Sequence, residues 1–81
     1  MVITLKDRKV FYDKLMANLS GYQDDLKSQV DLDESKFDKL YSESGSVGLI
    51  KNGIDGLLKK RYSVTALGKE QISSFLMVYD F

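Results

Sequence analysis

The chain has 81 residues, 43% hydrophobic and 30% charged, with 12 basic side chains balanced by 12 acidic ones, which suits one domain with a modest core and excludes a disordered chain. Cysteine and histidine are both absent, so there is no disulfide framework, no thiolate chemistry and no usual transition-metal ligand, and neither a cofactor nor a metal is expected. No apolar run approaches the roughly 20 residues that cross a bilayer, and no signal-peptide pattern opens the chain, so a cytoplasmic protein without a membrane partner is expected.

Met1 to Ile3 is apolar and reads as extended. Thr4-Leu-Lys-Asp7 resembles a capping box, with Asp in place of the usual Glu or Gln. From Leu5, the apolar positions Phe11, Tyr12, Leu15 and Leu19 recur at helical spacing, which predicts a helix over 5–19 that ends at Ser20-Gly21. A second, shorter helix is predicted over 22–30. Asp24 and Asp25 complement its dipole, and Leu26 and Val30 form its buried stripe. Asp33 is placed to cap a third helix over 33–45, with Leu32 stapled onto Phe37. That helix should bury Phe37, Leu40 and Tyr41 and stop at Gly45-Ser46.

Val47 to Gly68 reads as a β-hairpin over 48–64 followed by a helix start. Asn52-Gly53 and Asp55-Gly56 are two turn dipeptides, each with a glycine able to take positive φ. Lys59 to Val64 is predicted as the return strand, with Tyr62 and Val64 on one face and Arg61 and Ser63 on the other. Leu57 and Leu58 are expected to pack beneath the hairpin. Thr65 can cap a last helix, over about 66–79, that carries Leu67, Ile72, Phe75, Leu76 and Tyr79. The fold class is therefore α+β, mostly α: three helices, a two-stranded hairpin and a C-terminal helix, in a single domain over 1–81.

This order, with Gly48-Leu49-Ile50 at the first strand and Tyr62-Ser63-Val64-Thr65-Ala66-Leu67-Gly68 across the second strand and the helix start, resembles the winged helix-turn-helix domain of small bacterial, archaeal and viral regulators, including the MarR-like and PadR-like groups. The likeness covers residues 5 to about 76. One departure is the tight link between the first two helices, which leaves little room for the small strand many relatives have there.

The resemblance implies a transcriptional regulator that binds double-stranded DNA. The third helix would enter the major groove, offering Ser35, Lys36, Lys39 and Ser42. The hairpin would be a wing on the backbone or minor groove, offering Lys51, Asn52, Lys59, Lys60 and Arg61. Lysine and arginine suit phosphates because they displace condensed counterions. Residues 47–69 hold Lys51, Lys59, Lys60, Arg61 and Lys69 against Asp55 alone, a net of +4. Residues 20–46 hold three lysines against seven acids, a net of −4. A groove-reading helix bearing Asp33, Glu34, Asp38 and Glu43 would meet repulsion from phosphates unless those side chains point away, which makes the wing the main expected contact.

Each feature has a plainer reading. Lys59-Lys60-Arg61 is either a phosphate contact or a strand edge guarded by charge. Lys36 and Lys39 could serve solubility and pair with neighbouring acids. The apolar stripe of the last helix, Ile72, Phe75, Leu76, Tyr79 and Phe81, must partly cover the core, yet its width points to a homodimer surface. The alternative to a DNA-binding role is a protein-interaction module using the acidic face at Asp33, Glu34 and Asp38. A third is a piece of a larger assembly. No enzyme is expected: there is no histidine base or cysteine nucleophile, and the glycines match no nucleotide-binding signature. No small-molecule ligand is evident.

Overall fold

The computed structural model of the chain describes residues 2–79. The order is α1 (Leu5–Ala17), β1 (Ser20–Tyr22), α2 (Gln23–Gln29), α3 (Glu34–Ser46), β2 (Ile50–Ile54), β3 (Lys60–Val64) and α4 (Ala66–Val78). Phe81 and Met1, named above in the last helix's stripe and the apolar N-terminus, lie outside the described residues.

The start of α1 is a complete capping box. The Asp7 amide donates to Thr4 Oγ1 at 3.0 Å, and the Thr4 amide donates back to Asp7 Oδ2 at 3.1 Å. Aspartate thus serves where glutamate is usual. The helix stops at Asn18, short of the predicted Leu19. The reason is the sheet: the Leu19 carbonyl accepts from the Val64 amide at 2.7 Å, so the chain is already extended there.

That extension corrects the expectation about the link. Ser20, Gly21 and Tyr22 form a strand opposite Ser63, Tyr62 and Arg61, and the sheet has three strands in the order β1-β3-β2, not two. Three residues span only about 10 Å, so a tight link suffices. A Ser-Gly-Tyr triplet is too short to show strand alternation, which is why it reads as a helix stop.

Asp33 caps α3 by accepting from the Lys36 amide at 2.9 Å, and Leu32 packs half-buried against the core. Gly45 and Ser46 are the last residues of α3 and not its stop. The stop is Gly48, at φ +84°. The Leu49 amide donates to the Ser44 carbonyl at 2.9 Å and the Gly48 amide to Gly45 at 3.4 Å, a Schellman closure that needs a left-handed residue.

The core joins α1, α2, α3, the sheet and α4 through Phe11, Leu15, Leu26, Phe37, Leu40, Tyr62, Val64 and Ile72, all buried. An aromatic chain runs across it, Phe11 edge-on to Phe37, Phe37 stacked on Tyr41 and Tyr41 edge-on to Tyr62. Tyr62 and Val64 face inward while Arg61 and Ser63 face out, as their alternation predicts. The Tyr62 hydroxyl donates to the Asn18 carbonyl at 2.7 Å and ties β3 to the end of α1.

The Thr-x-x-Gly run has a packing reason. The Gly68 amide donates to Thr65 Oγ1 at 2.9 Å, and that hydroxyl donates to the Gly48 carbonyl at 2.6 Å. The Thr65 amide donates to the Leu49 carbonyl at 3.0 Å. The first turn of α4 therefore lies on the backbone of Gly48-Leu49, and a Cβ placed at Gly68 would stand 2.0 Å from the Leu49 oxygen.

Candidate nucleic-acid interface

Helix α3 turns Phe37, Leu40, Tyr41 and Ser44 inward. Ser35, Lys39 and Ser42 follow at i, i+4 and i+7 on the opposite face, all exposed. Ser46 completes this stripe and was not singled out from the sequence. Lys36 departs from it: its ammonium pairs with Asp7 of α1 at 3.2 Å.

The acids of α3 are answered from within the fold. Lys27 of α2 reaches Glu34 at 3.1 Å and Asp38 at 3.0 Å. Arg8 of α1 pairs with Glu43, and Asp33 is the helix cap. The Glu43 carboxyl is held below its usual range by the Arg8 guanidinium, and the Lys27 ammonium is raised by its hydrogen bonds to Asp38 and then Glu34. Exposed pairs add little stability. Their importance here is the field, because Glu34, Asp38 and Glu43 each have a cation beside them, and Asp33 is engaged by the helix start. Lys39 has no ion-pair partner among the described residues.

The wing differs from its prediction at the turn. Asn52 and Gly53 lie within β2, opposite Tyr62 and Arg61. The reversal is made by residues 55–59, and the left-handed residue there is Leu58, at φ 61°, not Gly56. Asp55 supplies the clamp: its Oδ1 accepts from the amides of Leu57 at 2.9 Å and Lys59 at 3.1 Å. Leu57 and Leu58 are not packed beneath the hairpin but stand out from it, 75% and 84% exposed.

Strand β3 is the centre of the sheet, and residues 61–63 are paired on both sides. The edge-guard reading therefore fails for Arg61, since guarding charge belongs on a free edge, while Lys60 is paired only with Ile54 and Lys59 precedes the strand. Strand alternation instead splits the cations. Lys60 joins Gln23, Tyr41, Ser42, Asn52, Gly53 and Ile54 around a cleft of about 610 Å³ between α3 and the wing. On the other face Lys51 and Arg61 line a depression with Ser20 and Ser63. The structure thus unites Ser42 with Asn52 and Lys60, and Lys51 with Arg61, with Asn52 and Gly53 bordering both depressions.

Two residues missed from the sequence organise this arrangement. Gln23 lines the cleft beside Ser42 and Lys60. Tyr22 carries the outer group: its ring lies 4.8 Å from the Arg61 guanidinium carbon and 5.3 Å from Lys59 Nζ. Its hydroxyl donates to Asp55 Oδ2 at 2.6 Å. The only sequence sign was an aromatic residue beside a glycine. Asn52, by contrast, is anchored to α3, its Oδ1 accepting from the Tyr41 hydroxyl at 2.7 Å. Burial, reinforced by Tyr62, pushes the Tyr41 phenol up to about 12, so it stays a donor at any physiological pH.

The Tyr22 hydroxyl is the foremost cause holding the Asp55 carboxyl below its usual range, ahead of the Lys59 amide. A depressed carboxylate contributes fully above its unfolded titration range and loses that contribution as pH falls through the folded one. Tyr22→Phe keeps the ring for Lys59 and Arg61 but removes the hydroxyl. The expected result is that Asp55 titrates nearer the ordinary range by carboxyl NMR, and that the Leu57 and Lys59 amides exchange faster. An unchanged Asp55 titration would show that Tyr22 does not hold the turn.

On α4, Ile72 is wholly buried and belongs to the core of the single chain. Phe75 and Leu76 are half-buried against that core, and Tyr79 is 37% exposed. Met77 and Val78, which the sequence shows as apolar but which are not among the residues expected at the dimer surface, are more exposed than any of these.

No protein-family model matches the sequence. No curated protein matches it. Among solved structures, the chain is similar to the PcaV transcriptional regulator from Streptomyces coelicolor, at 19% identity and a TM-score of 0.74, over 88% of this chain and 54% of that one. It is similar also to the same regulator in complex with its natural ligand, at 22% identity and a TM-score of 0.72, over 94% and 55%. The chain spans about half the length of the structures it matches. The fold is α+β, mostly α, with the winged-helix arrangement of these neighbours. Among the described residues no helix is long and apolar enough to cross a membrane.

Proposed function

We propose that the chain is a cytoplasmic winged-helix transcriptional regulator that binds double-stranded DNA. The observation that carries this reading is the cleft between α3 and the wing. It brings Ser42, Asn52 and Lys60 together, while Lys39 on the same helix has no ion-pair partner among the described residues and Glu34, Asp38 and Glu43 are matched by Lys27 and Arg8. In this reading Ser35, Lys39 and Ser42 enter the major groove, and the wing lies on the adjacent backbone, with Lys60 on the inner side and Lys51, Lys59 and Arg61 on the outer. Lys36, paired with Asp7, serves chiefly to hold α3 on α1. The likeness to a transcriptional regulator supports the same conclusion.

Fluorescence anisotropy with random-sequence duplex at low salt tests it. Binding that weakens steeply with added salt is expected, and no binding at about 100 μM, the weak end of nonspecific affinity, would overturn the reading. The alternative of a protein partner on Asp33, Glu34 and Asp38 is not favoured, because those carboxylates are already engaged with Lys27 or the helix start.

The protein is further proposed to act as a homodimer through α4. Phe75, Leu76 and Tyr79 are its contact residues, joined by Met77 and Val78; Ile72 supports them from the core. Sedimentation should show a dimer at high micromolar concentration, and Met77→Lys with Val78→Glu should shift it to monomer. A wild-type monomer at that concentration would remove the assignment.

A further inference from the structure

The wing tip places its two most apolar residues in water and one of them in a strained backbone. Leu57 and Leu58 are 75% and 84% exposed, and Ile54 at the base of the turn is 68% exposed. Leu58 sits at φ 61°, a region that a branched side chain rarely adopts. Glycine would be at ease there, and Gly56 is only two residues away. The turn is nevertheless built to hold this shape. Asp55 Oδ1 accepts from the amides of Leu57 and Lys59, the Leu58 amide donates to the Asp55 carbonyl at 3.0 Å, and Tyr22 fixes the other carboxylate oxygen. A rigid clamp thus presents two leucines outward, with Lys59 and Lys60 directly behind them, both exposed.

We propose that Leu57 and Leu58 form an apolar wedge that enters a base step of duplex DNA from the minor groove, partly unstacks it and bends the duplex. This rests on the DNA-binding reading above and adds how the wing engages. Size and charge argue for this occupant. A stable protein interface needs roughly 800 Å² from each partner, far more than a two-leucine tip and one isoleucine supply, and cations immediately flank the tip. A wedge between base steps needs only one or two apolar side chains, with cations on the neighbouring phosphates. Pyrimidine–purine steps unstack most easily, so the tip would favour a TA or CA step over a stiff A-tract without reading base edges.

The test uses the whole chain and two end-labelled duplexes, one with 2-aminopurine at a central TA step and one an A-tract. The wild type should raise 2-aminopurine fluorescence, shorten the end-to-end distance by energy transfer, and bind the TA duplex more tightly than the A-tract. Leu57→Ala with Leu58→Ala should abolish both optical signals and lose about tenfold in affinity, the scale of burying one leucine. Its salt dependence should be unchanged, since no cation is removed. Both side chains are exposed, so an unchanged melting temperature confirms the fold of the variant. Binding by the wild type without either optical signal overturns the wedge and leaves the DNA-binding reading standing. So does a leucine variant that keeps affinity and signals, which would show that the tip takes no part in bending the duplex. No DNA binding by the wild type overturns both.

Discussion

Gly68→Ala should cost the protein a substantial part of its stability, read as a lower denaturant midpoint. The added methyl would stand 2.0 Å from the Leu49 carbonyl oxygen and 2.9 Å from its carbon. These are backbone atoms, and the same oxygen accepts the Thr65 amide, so the strand start cannot move aside without breaking the cap of α4. Helix propensity works the other way, favouring alanine by about 1 kcal/mol. Overpacking costs roughly 1–3 kcal/mol, and a contact of 2.0 Å against backbone lies at the top of that range, so a net loss of about 2 kcal/mol is expected. For a domain whose total stability is on the order of 4–12 kcal/mol, that appears as a marked fall in the denaturant midpoint. Gly53→Ala is the control. Nothing lies within 4 Å of its position and its backbone is an ordinary strand. A Gly68→Ala midpoint equal to the wild type's would mean that α4 does not rest on Leu49 as described.

The same contact explains why part of the fold was legible. The Gly-Leu-Ile and Thr-x-x-Gly runs are two halves of one packing contact, and each carries residues with few substitutes: a left-handed Gly48, a hydroxyl at Thr65, no Cβ at Gly68. Helix periodicity was equally readable, because Phe11, Leu15, Phe37 and Leu40 bury by spacing alone. What could not be read depended on partners distant in sequence. Strand β1 exists only because β3 offers it a ladder. The dipeptide Asn52-Gly53 has the composition of a turn, but Tyr41 and Arg61 hold it extended.

The candidate site was legible in its residue types and not in its geometry. Segment charge marked residues 47–69 as basic and residues 20–46 as acidic, at +4 and −4. Yet a sum over consecutive residues ignores who stands next to whom. Lys27 lies 7 and 11 positions before Glu34 and Asp38, and Arg8 lies 35 before Glu43, so the neutralising contacts are tertiary. The split of the wing cations was implicit in strand alternation, but it becomes meaningful only once α3 is known to lie on the Lys60 side. Tyr22 was placed at a helix start, where an aromatic ring has no particular role. Its role comes from register, which sets it opposite Arg61.

Replacing Lys59, Lys60 and Arg61 together by alanine should abolish most DNA binding while leaving the protein folded. All three are exposed, and among the described residues none forms an ion pair, so their charge is free to meet phosphate. Each phosphate contact contributes about 0.9 to the slope of log affinity against log salt. Loss of three should flatten that slope by between about 2 and 3 and weaken binding about a hundredfold or more at low salt. The single variants should then separate the two faces. Lys60→Ala removes a charge from the cleft shared with Ser42 and should combine more than additively with Lys39→Ala if both grip the same stretch of backbone. Arg61→Ala also empties the space against Tyr22, so its effect should exceed one phosphate contact and include faster exchange of the wing amides. A triple variant that binds with the wild-type slope would show that the wing does not touch phosphate, whatever α3 does.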